Sequence, residues 1–185
     1  MIIREMTKEE CLDALTKAGF GRLACARDNQ PYIVPVYFAC DKSYLYGVAT
    51  EGKKIEWMRS NPLVCVEADE ILNQSQWKSV IAFGRYEELP DIEKWRGVRE
   101  HAHSLLQKRP NWWQPASVAT THRGIPHSLT PLFYRIRIDR ITGHQALLDP
   151  VDEKTVSASS PTSTHGWLRH IMRRKDKHAA VAGNR

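Results

Sequence analysis

The sequence has no run of apolar residues long enough to span a bilayer, which takes roughly 18 or more. Its first eleven residues, MIIREMTKEEC, carry charges at Arg4, Lys8, Glu9 and Glu10. That stretch therefore lacks the apolar core of a secretory signal. We expect a cytoplasmic protein that does not enter a membrane.

Several familiar motifs are also missing. There is no GxGxxG fingerprint, no Walker loop and no nucleophile elbow, so the commonest nucleotide-binding and hydrolase signatures do not apply. No two cysteines form a Cys-x-x-Cys pair, which argues against a zinc knuckle. We expect reduced and mostly buried thiols at the four cysteines, which are Cys11, Cys25, Cys40 and Cys65.

Histidines do not indicate a metal site either. His101 and His103 are two residues apart on a predicted helix, so their side chains point in different directions and do not chelate one ion together. We expect no metal site.

Charge is unevenly distributed along the chain, whose net charge is +6. Residues 151–185 contain seven Lys/Arg and three Asp/Glu, so most of the excess belongs to this end. The stretch 151–166 is polar and poor in bulky residues, a composition typical of flexible segments. We predict a folded domain over residues 1–149 and a polar, then basic, tail over 150–185. Nucleic-acid or membrane binding by this tail is the weakest of the functional hypotheses.

Hydrophobic periodicity predicts a mainly β domain. A capping box at Thr7 to Glu10 starts a first helix that Gly19 ends. Two more helices are predicted over 52–60 and 90–107. Apolar alternation and turn residues predict antiparallel strands. The six strands are 20–26, 31–40, 44–49, 63–69, 78–89 and 133–143, which favour a small closed or half-open barrel.

The segment TEGKKIEWMRSNP, residues 50–62, predicts an anion site. It lies between a strand end and a helix start, where free amide groups and the helix dipole attract negative charge. Gly52 lets the backbone come close, and Thr50, Lys53 and Lys54 add charge-assisted hydrogen bonds. A phosphate monoester suits these groups, although two solvated lysines at an ordinary helix start give the same pattern.

Two further segments have unusual features. In PYIVPVYF (31–38), Pro35 has no N–H for a ladder, which argues against a central, fully paired strand. Such a segment offers backbone and a flat apolar surface to a planar heterocycle. In WKSVIAFGRYEEL (77–89), Gly84 permits close approach by another group.

Taken together, FGRLA (20–24), PYIVPVYF, residues 45–69 and WKSVIAFGRYEEL are similar in order and spacing to one family. The chain resembles the pyridoxamine 5′-phosphate oxidase-like superfamily of FMN-binding split barrels, in its uncharacterised and nitroimidazole-reductase-like branches. The resemblance covers about residues 8–143. It implies a six-stranded antiparallel split β-barrel, a homodimer and two FMN sites at the subunit interface.

The resemblance also implies which residues bind the cofactor. Thr50, Lys53 and Lys54 match the positions that hold the FMN phosphate. Pro35, Val36 and Tyr37 match the segment that lies along the isoalloxazine ring. Trp77, Ser79 and Val80 match a strand that contributes near the cofactor, from the same chain or from the partner chain.

The sequence departs from the family at some functional positions. Relatives that reduce nitroimidazoles often carry a histidine where Gly47 stands, which puts nitro-group reduction in doubt. No catalytic residue is evident, since Tyr37, His122 and His127 are candidates for which a structural role is the better explanation. Trp112 and Trp113 are candidates for stacking over the ring.

We expect an FMN-dependent oxidoreductase acting on a small molecule. The alternative is a flavin- or haem-binding carrier or sensor without turnover, and a deazaflavin remains an alternative cofactor. The substrate and the electron donor do not follow from the sequence.

Overall fold

The computed structural model describes residues 1–112 and 130–148. The chain divides into a unit of Met1–Leu147 and a second unit of Leu148–Arg185. Only the first residue of the second unit is described, so the predicted boundary after residue 149 and the predicted tail remain predictions.

The described residues form eight strands and three α-helices. All six predicted strands are present. Two short strands were not predicted, namely the N-terminal one and one produced by a break at Phe38 in the run 31–40. The elements are β1 Ile2–Glu5, α1 Lys8–Ala18, β2 Phe20–Arg27, β3 Gln30–Tyr37, β4 Ala39–Asp41, β5 Tyr44–Ala49, α2 Lys53–Ser60, β6 Leu63–Asn73, β7 Gln76–Leu89, α3 Arg96–Leu106 and β8 Leu132–Leu147, with a 3-10 turn at Glu93–Trp95 before α3.

Every strand pairing in the described residues is antiparallel. The strand order is β3-β2-β6-β7-β8-β5-β4, with β1 on the far end of β8. β3 and β4 lie at opposite ends of this order, yet only Phe38 separates them in the chain. Because consecutive Cα atoms are 3.8 Å apart, the sheet must curl until its two edges nearly meet. The result is the predicted split barrel, mainly β and without a continuous hydrogen-bond ladder around it.

Phe38 also anchors this closure. Its side chain is 2% exposed and belongs to the main core. Its amide donates to the Gly19 carbonyl at 3.0 Å, which ties the connection to the residue that ends α1. Gly19 has a φ of 64°, the left-handed conformation expected at a helix C-terminus.

The helices form as their sequences predict. The Thr7 side chain accepts from the Glu10 amide and the Glu10 carboxylate accepts from the Thr7 amide, which completes the predicted capping box. In α2, Ile55 and Met58 are fully buried on one face, as their helical spacing predicts.

Pro35 lies in β3, which pairs only with β2 among the described strands. The prediction that this strand is not centrally paired is confirmed, because an edge strand does not need the missing proline amide. The cysteine prediction is also confirmed. Cys11, Cys25 and Cys40 are buried, Cys65 is half-buried, and all four are free thiols.

None of the helices in the described part of the chain is long and apolar enough to cross a membrane. Residues 1–112 and 130–148 likewise contain no group of three or more potential ligand side chains arranged to hold a metal ion.

The backbones of β7 and β8 approach each other closely at Gly84, and a substitution there tests this packing. The register between these strands shifts after Phe83, and a Cβ at Gly84 would lie 2.2 Å from the Arg137 carbonyl oxygen. We expect Gly84→Ala to lower the free energy of unfolding in urea by about 1–3 kcal/mol, because backbone must move to relieve the overlap. Gly97→Ala in α3 is the matched control, since nothing lies within 4 Å of its added Cβ. Equal stability of the two variants would contradict this packing.

Candidate anion-binding site

A shallow pocket of about 210 Å³ opens between the edge strand β3 and the β5–α2 connection. One wall is formed by β3 and the other by the segment predicted to bind an anion. The lining residues are Tyr32, Val34, Thr50, Glu51, Gly52, Lys53 and Lys54. The structure therefore brings the three predicted phosphate residues together in one pocket.

The start of α2 in this pocket has no side-chain cap. Gly52 is the N-cap residue and has no side chain that could accept a hydrogen bond from the first helical amides. Its φ of 154° favours glycine, and an added Cβ would meet nothing within 4 Å. Open space thus lies beside amide groups that need an acceptor, an arrangement that suits an anion.

Lys53 is positioned by aromatic rings. Its Nζ lies 4.6 Å from the ring centroid of Tyr32 and 4.6 Å from that of Trp57. The two rings also contact one another, with centroids 5.4 Å apart. Such cation–π contacts restrict the ammonium group to the mouth of the pocket without neutralising its charge.

Lys54 is half-buried and lies deeper in the protein. Burial lowers its pKa from the ordinary value, and the nearby Cys25 thiol opposes this effect. Neither Lys53 nor Lys54 forms an ion pair with a carboxylate of residues 1–112 or 130–148. A partly desolvated ammonium group without a carboxylate favours an incoming anion.

Glu51 is the one acidic residue among those that line the pocket, and Arg59 forms an ion pair with it. The Arg59 guanidinium donates to both Glu51 oxygens at 2.8 Å. It also donates to both Glu88 oxygens, at 2.7 and 2.8 Å. These bonds raise the pKa of Arg59 and lower that of Glu88.

The predicted ring-binding segment has its three residues on different sides of β3. Val36 is buried in the core, Pro35 is exposed on the opposite side, and Tyr37 packs on Phe20 with ring centroids 5.0 Å apart. None of the three lines the pocket. The residues of β3 that do so are Tyr32 and Val34, which share a side with Val36 because side chains alternate along a strand. This alternation could have been inferred from the sequence, and it places Tyr32 and Val34 on the same side of β3 as the predicted residue Val36.

The predicted β7 residues also do not line this pocket. Val80 is 1% exposed and packs in the core, whereas Ser79 donates to Glu67 at 3.1 Å on the other side of the sheet. Trp77 is half-buried and faces Ile71 and Ala146 across its neighbouring strands. Within one chain the phosphate segment and these residues are separate, so their contact with a cofactor stays a prediction.

A second cavity of about 440 Å³ lies between α1 and strands β6 and β7. Its four acidic residues are all paired. The pairs are Glu10 with Arg4, Asp13 with Lys17, Asp69 with Arg22 and Glu70 with Lys78. This cavity therefore has no uncompensated charge to recognise a ligand.

Gly47 has a structural reason to be glycine. It faces Tyr134 across the β5–β8 pair, and an added Cβ would lie 2.4 Å from the Tyr134 ring. Tyr134 is 2% exposed, so its ring fills the space that a larger residue at position 47 would need. A histidine at this position is incompatible with the observed packing.

The remaining candidate residues lie mostly outside the described part of the chain. Trp113, His122 and His127 belong to the undescribed residues 113–129. Trp112 is half-buried and packs against His103, with ring centroids 5.1 Å apart.

The fold defines an antiparallel split-barrel protein, and the pocket beside the split is a candidate anion site. The model of the pyridoxamine 5′-phosphate oxidase family matches residues 7–145, and the chain belongs to that family.

The chain is similar to three individual proteins, of which two have known structures. An uncharacterised protein of Rhizobium meliloti is 42% identical over 146 residues, which cover 79% of this chain and 97% of that protein. The crystal structure of an FAD-binding protein from Mesorhizobium loti is also 42% identical, with a TM-score of 0.66, and the match covers 80% of this chain and 99% of that one. An FAD-binding protein from Mycobacterium smegmatis shares the fold at 20% identity, with a TM-score of 0.55 and coverage of 80% and 100%.

Lys54 gives a prediction about stability. We expect Lys54→Met to raise the free energy of unfolding of the ligand-free protein at pH 7, because it removes a charge that burial disfavours. A lowered pKa in the folded state means that this penalty is present below that pKa. The penalty fades as pH rises towards the ordinary value of 10.5, because the unfolded chain then binds more protons.

The measurement is urea unfolding of both proteins between pH 7 and pH 10.5. The advantage of the variant should shrink as pH rises. A variant that is less stable than the wild type at pH 7, or whose advantage grows with pH, would contradict the environment assigned to Lys54.

Proposed function

We propose that the chain binds a flavin nucleotide through the phosphate next to the ribityl chain. FMN is the smallest flavin nucleotide that carries this phosphate. We further propose that the chain acts as an oxidoreductase on a small molecule, as a homodimer in the cytoplasm. The observation that carries the proposal is the pocket at the start of α2. It combines uncapped helix amides with two lysines that have no described carboxylate partner.

The charges in the pocket suit a phosphate. Lys53, Lys54 and Arg59 against Glu51 and Glu88 leave a net charge of about +1 at and beside the pocket, and a terminal phosphate carries about −2 near neutral pH. Thr50 adds a hydroxyl donor at the same point. The FAD-binding relative from Mesorhizobium loti supports a flavin as the source of that phosphate, because FAD contains the same phosphate and ribityl groups.

The volume of the pocket supports a homodimer. About 210 Å³ is less than the roughly 300–1,000 Å³ of sites that bury a drug-sized ligand. The pocket accommodates a phosphate and part of the ribityl chain, so the isoalloxazine ring has to lie outside it. A second copy supplies the missing wall, and its strand β7 offers Trp77 and Ser79 for that purpose.

An apolar surface on the sheet is suited to meet that second copy. The row Ile33, Ala24, Cys65 and Phe83 runs across neighbouring strands β3, β2, β6 and β7. We call this row, with the neighbouring Leu63, the outer sheet face. Ile33 is 64% exposed and Leu63 54% exposed in the single chain. Large exposed apolar side chains on one sheet face are typical of a protein interface.

A bound flavin supplies the redox chemistry, by accepting or donating a hydride equivalent. Thr50, Lys53 and Lys54 would hold the phosphate, and Tyr32 and Val34 would form the opposite wall of the pocket. A carrier or sensor without turnover is the competing function. It predicts a bound flavin that nicotinamide donors do not reduce, whereas an oxidoreductase predicts reduction and reoxidation by an acceptor.

The lysines provide the first test of the proposed function. We expect Lys53→Ala/Lys54→Ala to weaken FMN binding by about 1.5–3 kcal/mol for each charge-assisted bond lost, while the fold remains intact. The dissociation constant is measured by quenching of flavin fluorescence, for FMN and FAD in parallel. Lys42→Ala, on the β4–β5 turn, is the control for removal of an exposed lysine. Unchanged affinity in the double variant would refute the phosphate assignment.

The outer sheet face provides the second test. We expect Ile33→Asp to convert a dimer into a monomer, because an unpaired charge in a dry interface costs about 3 kcal/mol or more. Light scattering after size-exclusion chromatography measures the mass. Ile92→Asp is the matched control, since Ile92 is 53% exposed but lies in the β7–α3 connection, away from this face. A wild-type monomer, or a dimer that survives Ile33→Asp, would contradict the assignment.

A further inference from the structure

Arg59 lies outside the pocket yet is bonded to the segment that forms it. It is on the last turn of α2, eight residues after Glu51, and its side chain reaches back to the start of its own helix. The same guanidinium is bonded to Glu88 on β7, so the loop is tied to the central sheet. Tyr86 donates to Glu88 at 3.1 Å and fixes the orientation of that carboxylate.

The geometry of these contacts is better than that of an ordinary surface ion pair. Both carboxylates are bound through two parallel N–H···O bonds, an arrangement that only arginine makes with its planar fork. The Arg59 side chain is 42% exposed, so water screens part of the attraction. The contribution of Arg59 to overall stability is therefore small, and its effect on the local charge is the larger consequence.

That local charge matters because Glu51 lines the anion pocket. An unpaired carboxylate there would repel a phosphate, and it would compete for Lys53 and Lys54. Arg59 prevents both effects, since it occupies both oxygens of Glu51. Thr50 and Gly52, on either side of Glu51, also line the pocket.

We propose that Arg59 is a positioning residue for the phosphate site, and that it keeps the Glu51 carboxylate paired and turned away from the bound phosphate. The inference rests on the proposed function, because it concerns the same pocket. It adds that affinity for the ligand depends on a residue that does not line the pocket, and that the dependence acts through the charge of Glu51.

The test is a charge-repair cycle on the full chain, with dissociation constants for FMN. Arg59→Gln should weaken binding on the order of tenfold, the effect of one free carboxylate about 6 Å from a doubly charged phosphate in a mostly aqueous setting. Glu51→Gln alone should bind FMN more tightly than the wild type, because it removes a negative charge from the pocket wall. The double variant Glu51→Gln/Arg59→Gln should recover affinity to within about threefold of the wild type, because the repelling charge is gone.

Two controls separate a charge effect from a loss of structure. Glu88→Gln/Arg59→Gln leaves Glu51 charged and should stay as weak as Arg59→Gln. The loss caused by Arg59→Gln should also shrink between about 50 mM and 500 mM salt, because salt screens exposed charges. Arg59→Lys keeps a positive charge with one point of attachment and should fall between the wild type and Arg59→Gln.

The proposal is overturned if Arg59→Gln binds FMN as the wild type does, or if Glu51→Gln fails to restore the affinity of the Arg59 variant. Absence of flavin binding by the wild type would refute the proposed function instead. In that case backbone amide exchange of residues 50–54 decides the role of Arg59 without a ligand. Faster exchange in Arg59→Gln than in the wild type supports the proposal, and unchanged exchange overturns it.

Discussion

The single residue between β3 and β4 determines the shape of this protein. β3 and β4 are the two ends of the sheet's strand order, and Phe38 alone connects them. A flat sheet cannot satisfy that connection, so the sheet curls and its ends approach without pairing. Phe38 is buried in the core, which makes the closure favourable as well as necessary.

The candidate site is a direct consequence of this closure. β5 is the neighbour of β4, so curling the sheet carries the β5–α2 connection to the side of the edge strand β3. Tyr32 and Val34 then form one wall of the pocket, and Thr50 to Lys54 form the other. Because β3 lacks a second neighbour among the described strands, its open edge and the pocket beside it remain accessible to a ligand and to a second chain.

Electrostatics then determines what this pocket accepts. Most charged residues near the sheet are paired within the chain, as Arg22 is with Glu67 and Asp69. In the pocket the acid is paired and the two lysines have no partner among the described carboxylates. Burial of Lys54 makes its charge costly in the empty protein, and a bound phosphate would offset that cost.

Local sequence signals predicted most of the fold and a segment that lines one wall of the candidate pocket. The capping box, the helical spacing in α2 and the alternation in β8 depend on neighbouring residues, so they were visible in the sequence. β1 was missed because its four exposed residues show no alternation, and it forms only through pairing with the distant end of β8.

The second wall of the pocket was harder to predict. Contact of Pro35, Val36 and Tyr37 with the cofactor stays a prediction, and the β3 residues that line the pocket are Tyr32 and Val34. The role of Arg59 was also not foreseen, because its bonds to Glu51 and Glu88 depend on how the helix folds back and on the position of β7. Contacts between residues far apart in the sequence leave no signal in the neighbouring residues. The need for glycine at position 47 was not predictable for the same reason, since it depends on Tyr134 in a strand distant in sequence.

The most direct test of the account is a crystal structure of the protein grown with FMN. It should show the phosphate within hydrogen-bond distance of Thr50, Lys53 and Lys54, with Arg59 still bonded to Glu51 and the ring between two copies of the chain. A flavin whose phosphate lies elsewhere, for example in the cavity between α1 and β7, would contradict the central claim.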